Sequence, residues 1–257
     1  MPAADTLAQA LARALDRLPG AEAALESLPF PVRFADGTRR RATVGAARMH
    51  RFWLSHPDLV RESRSALDAY DGGDVIDVGA FHGWYTLLLA PKARAGDRLV
   101  SLEPDVDALP ALLRSLAAAG DAFPGVQTWA LSAAVGDGTS LTVSWPDGPE
   151  GHPQFSGGGD GDPTLTIDGL VQTAALRPRF LKVDVEGAEW FVVHGMGTTL
   201  REHRPVVLLE VHPRWQPRPG TIAEMESVLR DAGYGLQVLD RTDVAERQLW
   251  RPATAST

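Results

Sequence analysis

Four short runs in this chain are apolar at nearly every position and end in charged or small residues: VIDVGA (75–80), LVSLEP (99–104), FLKVDVEG (180–187) and PVVLLEVHP (205–213). Each is followed by a stretch with apolar residues at helical spacing: Tyr85–Ala90, ALPALLRSLAAAG, AEWFVVHGM and IAEMESVLRDAG. A strand apolar on successive residues is buried on both faces. Strands joined through helices run parallel and carry helices on both sides. The chain is therefore read as α/β, with a Rossmann-like, mostly parallel sheet. VQTWALSAAV (126–135) adds a third strand and SLTVSW (140–145) a short one. YGLQVLD and RQLWRP read as a closing strand pair, which predicts an antiparallel C-terminal strand.

The N-terminal region differs. Leu7, Leu11, Leu15 and Leu18 stand at helical spacing, and Pro29 and Pro31 end that pattern. VRFADGTRRRATV reads as a hairpin around Asp36-Gly37. A helix over 50–70, broken near Pro57, closes at Gly72-Gly73. Residues 1–70 are thus expected to form a helical and hairpin region on the substrate side of a main domain over 71–257. Between Trp145 and Pro163 the sequence is PDGPEGHPQFSGGGDGDP, without apolar period. The 146–163 segment is expected to be a mobile loop, long enough to serve as a lid.

Composition removes several function classes. The chain has no cysteine, so thiolate chemistry and disulfides are excluded. Its longest apolar runs fall far short of the ~18 residues of a spanning helix, and its N-terminus lacks the apolar core of a secretory signal. These point to no membrane partner and a cytoplasmic location. The net charge of −8 argues against a nucleic-acid partner, which needs clustered cations. Residues 1–70 hold ten arginines against eight acids, and the remainder fifteen cations against twenty-five acids. The Arg39–Arg41 run reads as a solvated loop. Nothing in the sequence sets an oligomeric state.

DVGAFHG (77–83) follows a strand and opens a helix, so backbone N–H groups and a helix start face a ligand. Glu103 ends the next strand, where an acid accepts the hydroxyls of a ribose. The glycines, Gly79 and Gly83 behind Asp77, lack the Gly-x-Gly-x-x-Gly spacing of a dinucleotide site. An NAD(P)-dependent oxidoreductase and a non-catalytic nucleoside-binding module stay as alternatives. Asp-x-Gly-x-x-x-Gly resembles the first motif of class I S-adenosylmethionine-dependent methyltransferases. VIDVGAFHGWYTLLLA, SLEPD, TIDGLV, FLKVDVEGAEW and RPVVLLEVHP, taken together, resemble the FkbM-type family over roughly residues 74–213.

That resemblance implies S-adenosylmethionine as cofactor. It places Asp77, Gly79, Ala80, Phe81, His82 and Gly83 around the methionine end, Glu103 and Pro104 at the ribose, and Leu131 and Ser132, in the Ala130–Ala133 loop, near adenine. Phe81 departs from the pattern, since the family usually has Asn there. Asn and Gly adopt positive φ cheaply and Phe does not, so either the turn is reshaped or residue 81 is not left-handed.

The reaction centre is expected at the strand ends. Asp184 ends the fourth main strand, and Glu210 and His212 end the fifth. Alternation puts Lys182 with Asp184, and Glu210 with His212, on shared faces. A hydroxyl acceptor needs a base, and His212 is suited to that near neutral pH. Asp184 and Glu210 would orient the base or hold substrate, with Asp184 also beside the cofactor. Lys182 would pair with Asp184 or stabilise a developing alkoxide. Glu186 and Glu189 are divided between this site and the dipole of their helix. A divalent metal on Asp184, Glu210 and His212 is an alternative that no tight ligand spacing demands. The expected activity is S-adenosylmethionine-dependent O-methylation of a small hydroxylated acceptor, a secondary metabolite or sugar.

Overall fold

The computed structural model describes residues 29–33, 39–43, 57–144, 154–157 and 160–253. The helices expected over 4–28, the Asp36-Gly37 turn and the start of the 50–70 helix lie outside the described residues. The hairpin strands β1 (Pro29–Arg33) and β2 (Arg39–Thr43) pair antiparallel, with Arg33 opposite Arg39.

The apolar runs form one sheet. Its strands are β3 (Asp74–Val78), β4 (Arg98–Leu102), β5 (Gln127–Leu131), β9 (Pro178–Val183), β10 (Val206–Val211), β11 (Tyr234–Arg241) and β12 (Glu246–Pro252). They lie in the order β11-β12-β10-β9-β3-β4-β5. The five from β5 to β10 are parallel, and β12 runs against both its neighbours. The chain moves outward from β3 through β4 to β5, then returns to lay β9 on the other side of β3. The order reverses between β3 and β9, and in an open α/β sheet the ligand crevice lies there, beyond the carboxyl ends of the strands.

Helices cover both faces: α1 (Pro57–Ala69), α2 (Trp84–Leu89), α3 (Leu109–Ala122), α4 (Ile167–Thr173), α5 (Glu189–His194), α6 (Gly197–Glu202) and α7 (Thr221–Asp231). On one face Ile76, Val78, Leu181, Val183, Val207 and Leu209 pack with Val171 of α4, Val192 of α5 and Leu229 of α7. On the other, Val75, Leu99, Phe180, Leu208 and Leu249 pack with Ala66 of α1 and with Trp84 and Leu88 of α2. α1 thus belongs to the core of the sheet.

Along this second face the strands change character. Two residues toward the carboxyl ends, Leu99, Val75 and Phe180 give way to Ser101, Asp77 and Lys182, and Leu208 and Leu249 are flanked by Glu210 and Arg247. All of these polar groups are buried. Strand alternation keeps them on the same face as the apolar set, so the layer that holds the core also builds a polar floor under the crevice.

The 146–163 segment is not one irregular loop. β6 (Ser140–Ser144) pairs antiparallel with β7 (Gln154–Gly157) and β8 (Asp162–Pro163) in a small separate sheet. These strands have no buried-face alternation to reveal them. Main-chain pairing to β6 defines them instead. Residues 145–153 and 158–159 are outside the described residues.

Phe180 is fully buried and meets Tyr70 edge-on, with ring centroids 6.1 Å apart. Phe180→Ala is expected to cost ~3–5 kcal/mol in urea unfolding, the range for deleting a core aromatic.

Candidate active site

The turn after β3 is built on close backbone approach. Gly79 has φ +73, and a Cβ there would stand 1.7 Å from the carbonyl oxygen of Asp184. Only glycine lets the β3 and β9 exits touch. Asp184 N donates to Val78 O at 3.1 Å, and Gly79 N and Ala80 N both donate to Leu102 O. Gly83 has φ +80 and faces Leu112 and Ser115 of α3, so a side chain there would push α3 away.

Phe81 is left-handed after all, with φ +45. Its N–H donates to Glu103 Oε2 at 2.7 Å, which holds the residue in that strained region. Phe81 is 57% exposed, and its ring stacks on His82 at 3.8 Å between centroids. Glu103 Oε1 accepts from Asp105 N at 2.9 Å. The buried carboxylate is therefore aimed by two backbone donors, and each oxygen keeps a lone pair for a ligand. Burial raises its pKa, against the lowering effect of those hydrogen bonds. Leu131 is half-buried at the end of β5, and its carbonyl accepts from Glu103 N. Pro104 and Ser132 are exposed on the same rim.

Asp77 is buried in β3, and among the described residues neither carboxylate oxygen has a hydrogen-bond partner. Burial pushes its pKa up to about 7; Lys182 opposes the shift, while Asp184 and Glu103 add to it.

Lys182 is the centre of the polar floor. Its Nζ lies 3.2 Å from Asp184 Oδ2, 3.7 Å from Glu62 Oε1 and 3.8 Å from Glu210 Oε2, and 5.3 Å from the centroid of the Tyr85 ring. Burial opposes its charge, but the surrounding carboxylates outweigh burial and raise its pKa. Arg247 of β12 supplies a second cation, with Nη2 2.8 Å from Glu210 Oε1 and Nε 2.8 Å from Glu62 Oε2. Tyr85 OH also donates to Glu62. Glu210 is pushed up to about 8 by burial and by the charge of Asp184, with Lys182 countering both.

His212, just past β10, is buried and stacks on Trp215 at 4.5 Å between centroids. Its Nδ1 lies 2.8 Å from Glu189 Oε1. Because the carboxylate is an acceptor, Nδ1 carries the proton and Nε2 is left to face the site. Nε2 stands 3.4 Å from Glu186 Oε2 and 4.0 Å from Glu210 Oε1. Glu189 is wholly buried and also accepts from Gly187 N and Gln216 Nε2. Burial opposes the imidazolium, yet the hydrogen bond and charge of Glu189, with Asp184 and Glu186, lift His212 to about 9. This is above the neutral range expected from the sequence.

A family model described as "Methyltransferase FkbM domain" matches residues 77–236. The chain belongs to the FkbM family of methyltransferases. Among solved structures, an FkbM methyltransferase from Methylobacillus flagellatus KT is similar at 18% identity, with 81% of this chain, 53% of that one and a TM-score of 0.51. This chain therefore spans about half the length of that protein. An O-methyltransferase from Bacillus cereus in complex with SAH is similar at 12% identity, with 80% of this chain, 89% of that one and a TM-score of 0.51. These likenesses show the class I methyltransferase fold. An rRNA methylase from Streptococcus thermophilus is more remote, at 10% identity over 77% of this chain and 98% of that one, with a TM-score of 0.47. No curated protein matches the sequence.

The FkbM family and the class I methyltransferase fold support S-adenosylmethionine as the cofactor, and the residues present fit it. Asp77 is a buried carboxylate without a partner among the described residues, Glu103 is oriented at a strand end, and Gly79 keeps the backbone bare between them. The structure brings Asp184, Lys182, Glu210 and His212 together as strand alternation implied. It adds Glu62, Arg247, Tyr85 and Glu189. Nothing in the local sequence brings Glu62 or Arg247 to the Lys182 cluster, because that happens only when α1 packs on the sheet face and β12 joins the sheet beside β10. Glu189 looks like a helix-start acid, and only its complete burial reveals the partner.

The raised pKa of His212 fixes a sign. A group held above its unfolded value of 6.5 stabilises the fold fully below that pH, and the contribution fades as pH rises through about 9. Asp77 and Glu210, also raised, act in the same direction. Unfolding free energy measured by urea titration is expected to fall by roughly 3 kcal/mol or more between pH 6.5 and 9. His212→Gln should flatten the upper part of that fall.

Proposed function

We propose that this methyltransferase acts on a hydroxyl group of a small molecule. The observation that carries the reading is the Glu189–His212 pair, which presents a buried imidazole Nε2 at the crevice beside Asp184. S-adenosylmethionine, when bound, supplies an electrophilic methyl group. The chain must then hold the acceptor and take its proton. His212 accepts that proton at Nε2, and Glu189 holds the ring in the competent tautomer and stabilises the resulting imidazolium. Asp184 Oδ1, buried and without a hydrogen-bond partner among the described residues, is an acceptor for the substrate hydroxyl. Lys182 fixes Asp184 through its other oxygen.

The acidic balance of the chain favours a small acceptor over RNA, whose phosphates require a cationic track. A sugar or secondary-metabolite hydroxyl fits the site's polar character. The N-terminal region would flank the acceptor, since α1 already delivers Glu62 to the floor. No helix among the described residues is long and apolar enough to cross a membrane. A cytoplasmic setting goes with this reading, because the methyl donor is an intracellular metabolite.

Two variants test it. Glu103→Ala is expected to weaken S-adenosylhomocysteine binding at least tenfold by calorimetry. His212→Gln should bind S-adenosylhomocysteine within threefold of the parent, yet lose about a hundredfold or more in single-turnover methylation of a hydroxylated acceptor. The parent's rate should rise with pH as His212 loses its proton. A His212→Gln variant as fast as the parent refutes the base assignment.

A further inference from the structure

Asp184, Glu186 and His212 each offer a donor atom, and these atoms lie within 4.8 Å of one another at the ends of β9 and β10. Adjacent ligands on a shell of about 2.1 Å radius stand roughly 3.0 Å apart, so the Glu186 Oε2–His212 Nε2 pair, at 3.4 Å, needs to contract by only a few tenths of an ångström. The Glu186 side chain is 58% exposed and has room to make that movement. The other two donors are already held. His212 is buried, and its second ring nitrogen is hydrogen-bonded to the buried carboxylate of Glu189, the outer arrangement that orients metal-bound histidines and strengthens them as ligands. Asp184 is pinned by Lys182 through Oδ2, while Oδ1 is buried with no hydrogen-bond partner among the described residues.

Glu210, the carboxylate that sequence spacing offers for a metal, is committed elsewhere. Its Oε1 accepts from Arg247 Nη2 at 2.8 Å and lies 4.0 Å from His212 Nε2. Glu186 replaces it because the backbone turns left-handed there, φ +54, immediately after Asp184–Val185.

We propose that Asp184, Glu186 and His212 form a site for one divalent cation of the Mn²⁺ class, with two carboxylate oxygens and one imidazole nitrogen as protein ligands. Such a donor set suits a first-row divalent ion and leaves positions for water or an acceptor oxygen. The binding site stands independently of the substrate. A cation on His212 Nε2 takes up the lone pair that the base would use, so with the cation bound the holding and acidifying of an acceptor hydroxyl pass from His212 to the cation; that role rests on the O-methylation reading.

The test uses Mn²⁺ alone with the full chain, stripped of metal by chelator and dialysed, in the absence of nucleoside. Loss of the free-ion electron paramagnetic resonance signal is expected to report one bound Mn²⁺ per chain. Glu186→Gln, at a mostly exposed side chain, should keep the fold by circular dichroism and weaken binding at least tenfold. Glu210→Gln should change it by less than threefold. Absence of stoichiometric uptake, or uptake unaltered by Glu186→Gln, overturns the site. A tenfold loss in Glu210→Gln with none in Glu186→Gln overturns this ligand set. S-adenosylhomocysteine binding, measured on the same samples, shows separately whether the nucleoside pocket is intact.

Discussion

A lysine with its ammonium group out of water is the constraint around which the rest of the site is arranged. Lys182 sits in a central parallel strand, where both faces are covered, and an unpaired charge there would cost several kcal/mol. Glu62, Asp184 and Glu210 surround it within 4 Å, and Arg247 balances the acids from the far side. These partners come from α1, the β9 exit, β10 and β12. Lys182 and Arg247 together thereby tie the helix layer to three neighbouring strands and build the crevice floor.

The same exit from β9 joins two parts of the candidate site. Asp184 turns its side chain to Lys182 and its carbonyl to Gly79, so the glycine turn after β3 and the buried lysine–carboxylate cluster share one residue. Two residues later Glu186 swings toward His212, and Glu189 anchors that ring from beneath. The topological reversal between β3 and β9 opens the crevice. The glycine turn and the buried charges give it polarity.

Much of this could be read from residue order. Strands buried on both faces announce themselves as continuous apolar runs, and period-two alternation correctly joins Lys182 to Asp184. Contacts between distant segments were not legible. Glu62 and Arg247 reach the lysine only through tertiary closure, and β7 and β8 owe their pairing to main-chain hydrogen bonds without an apolar pattern. Phe81 shows local preference being overridden. A residue that avoids positive φ adopts it because Glu103 captures its N–H. The basicity of His212 was likewise hidden, since it depends on the burial of Glu189 and not on spacing.

Lys182 is the electrostatic keystone of the site. Urea unfolding of Lys182→Met against the parent tests it most directly, because methionine fills a similar volume without charge. The variant is predicted to lose about 3–5 kcal/mol, the cost of leaving a buried carboxylate set without its cation, with part of the loss recovered by adding Glu62→Gln. A Lys182→Met protein within 1 kcal/mol of the parent would mean that the carboxylates around residue 182 do not depend on its charge.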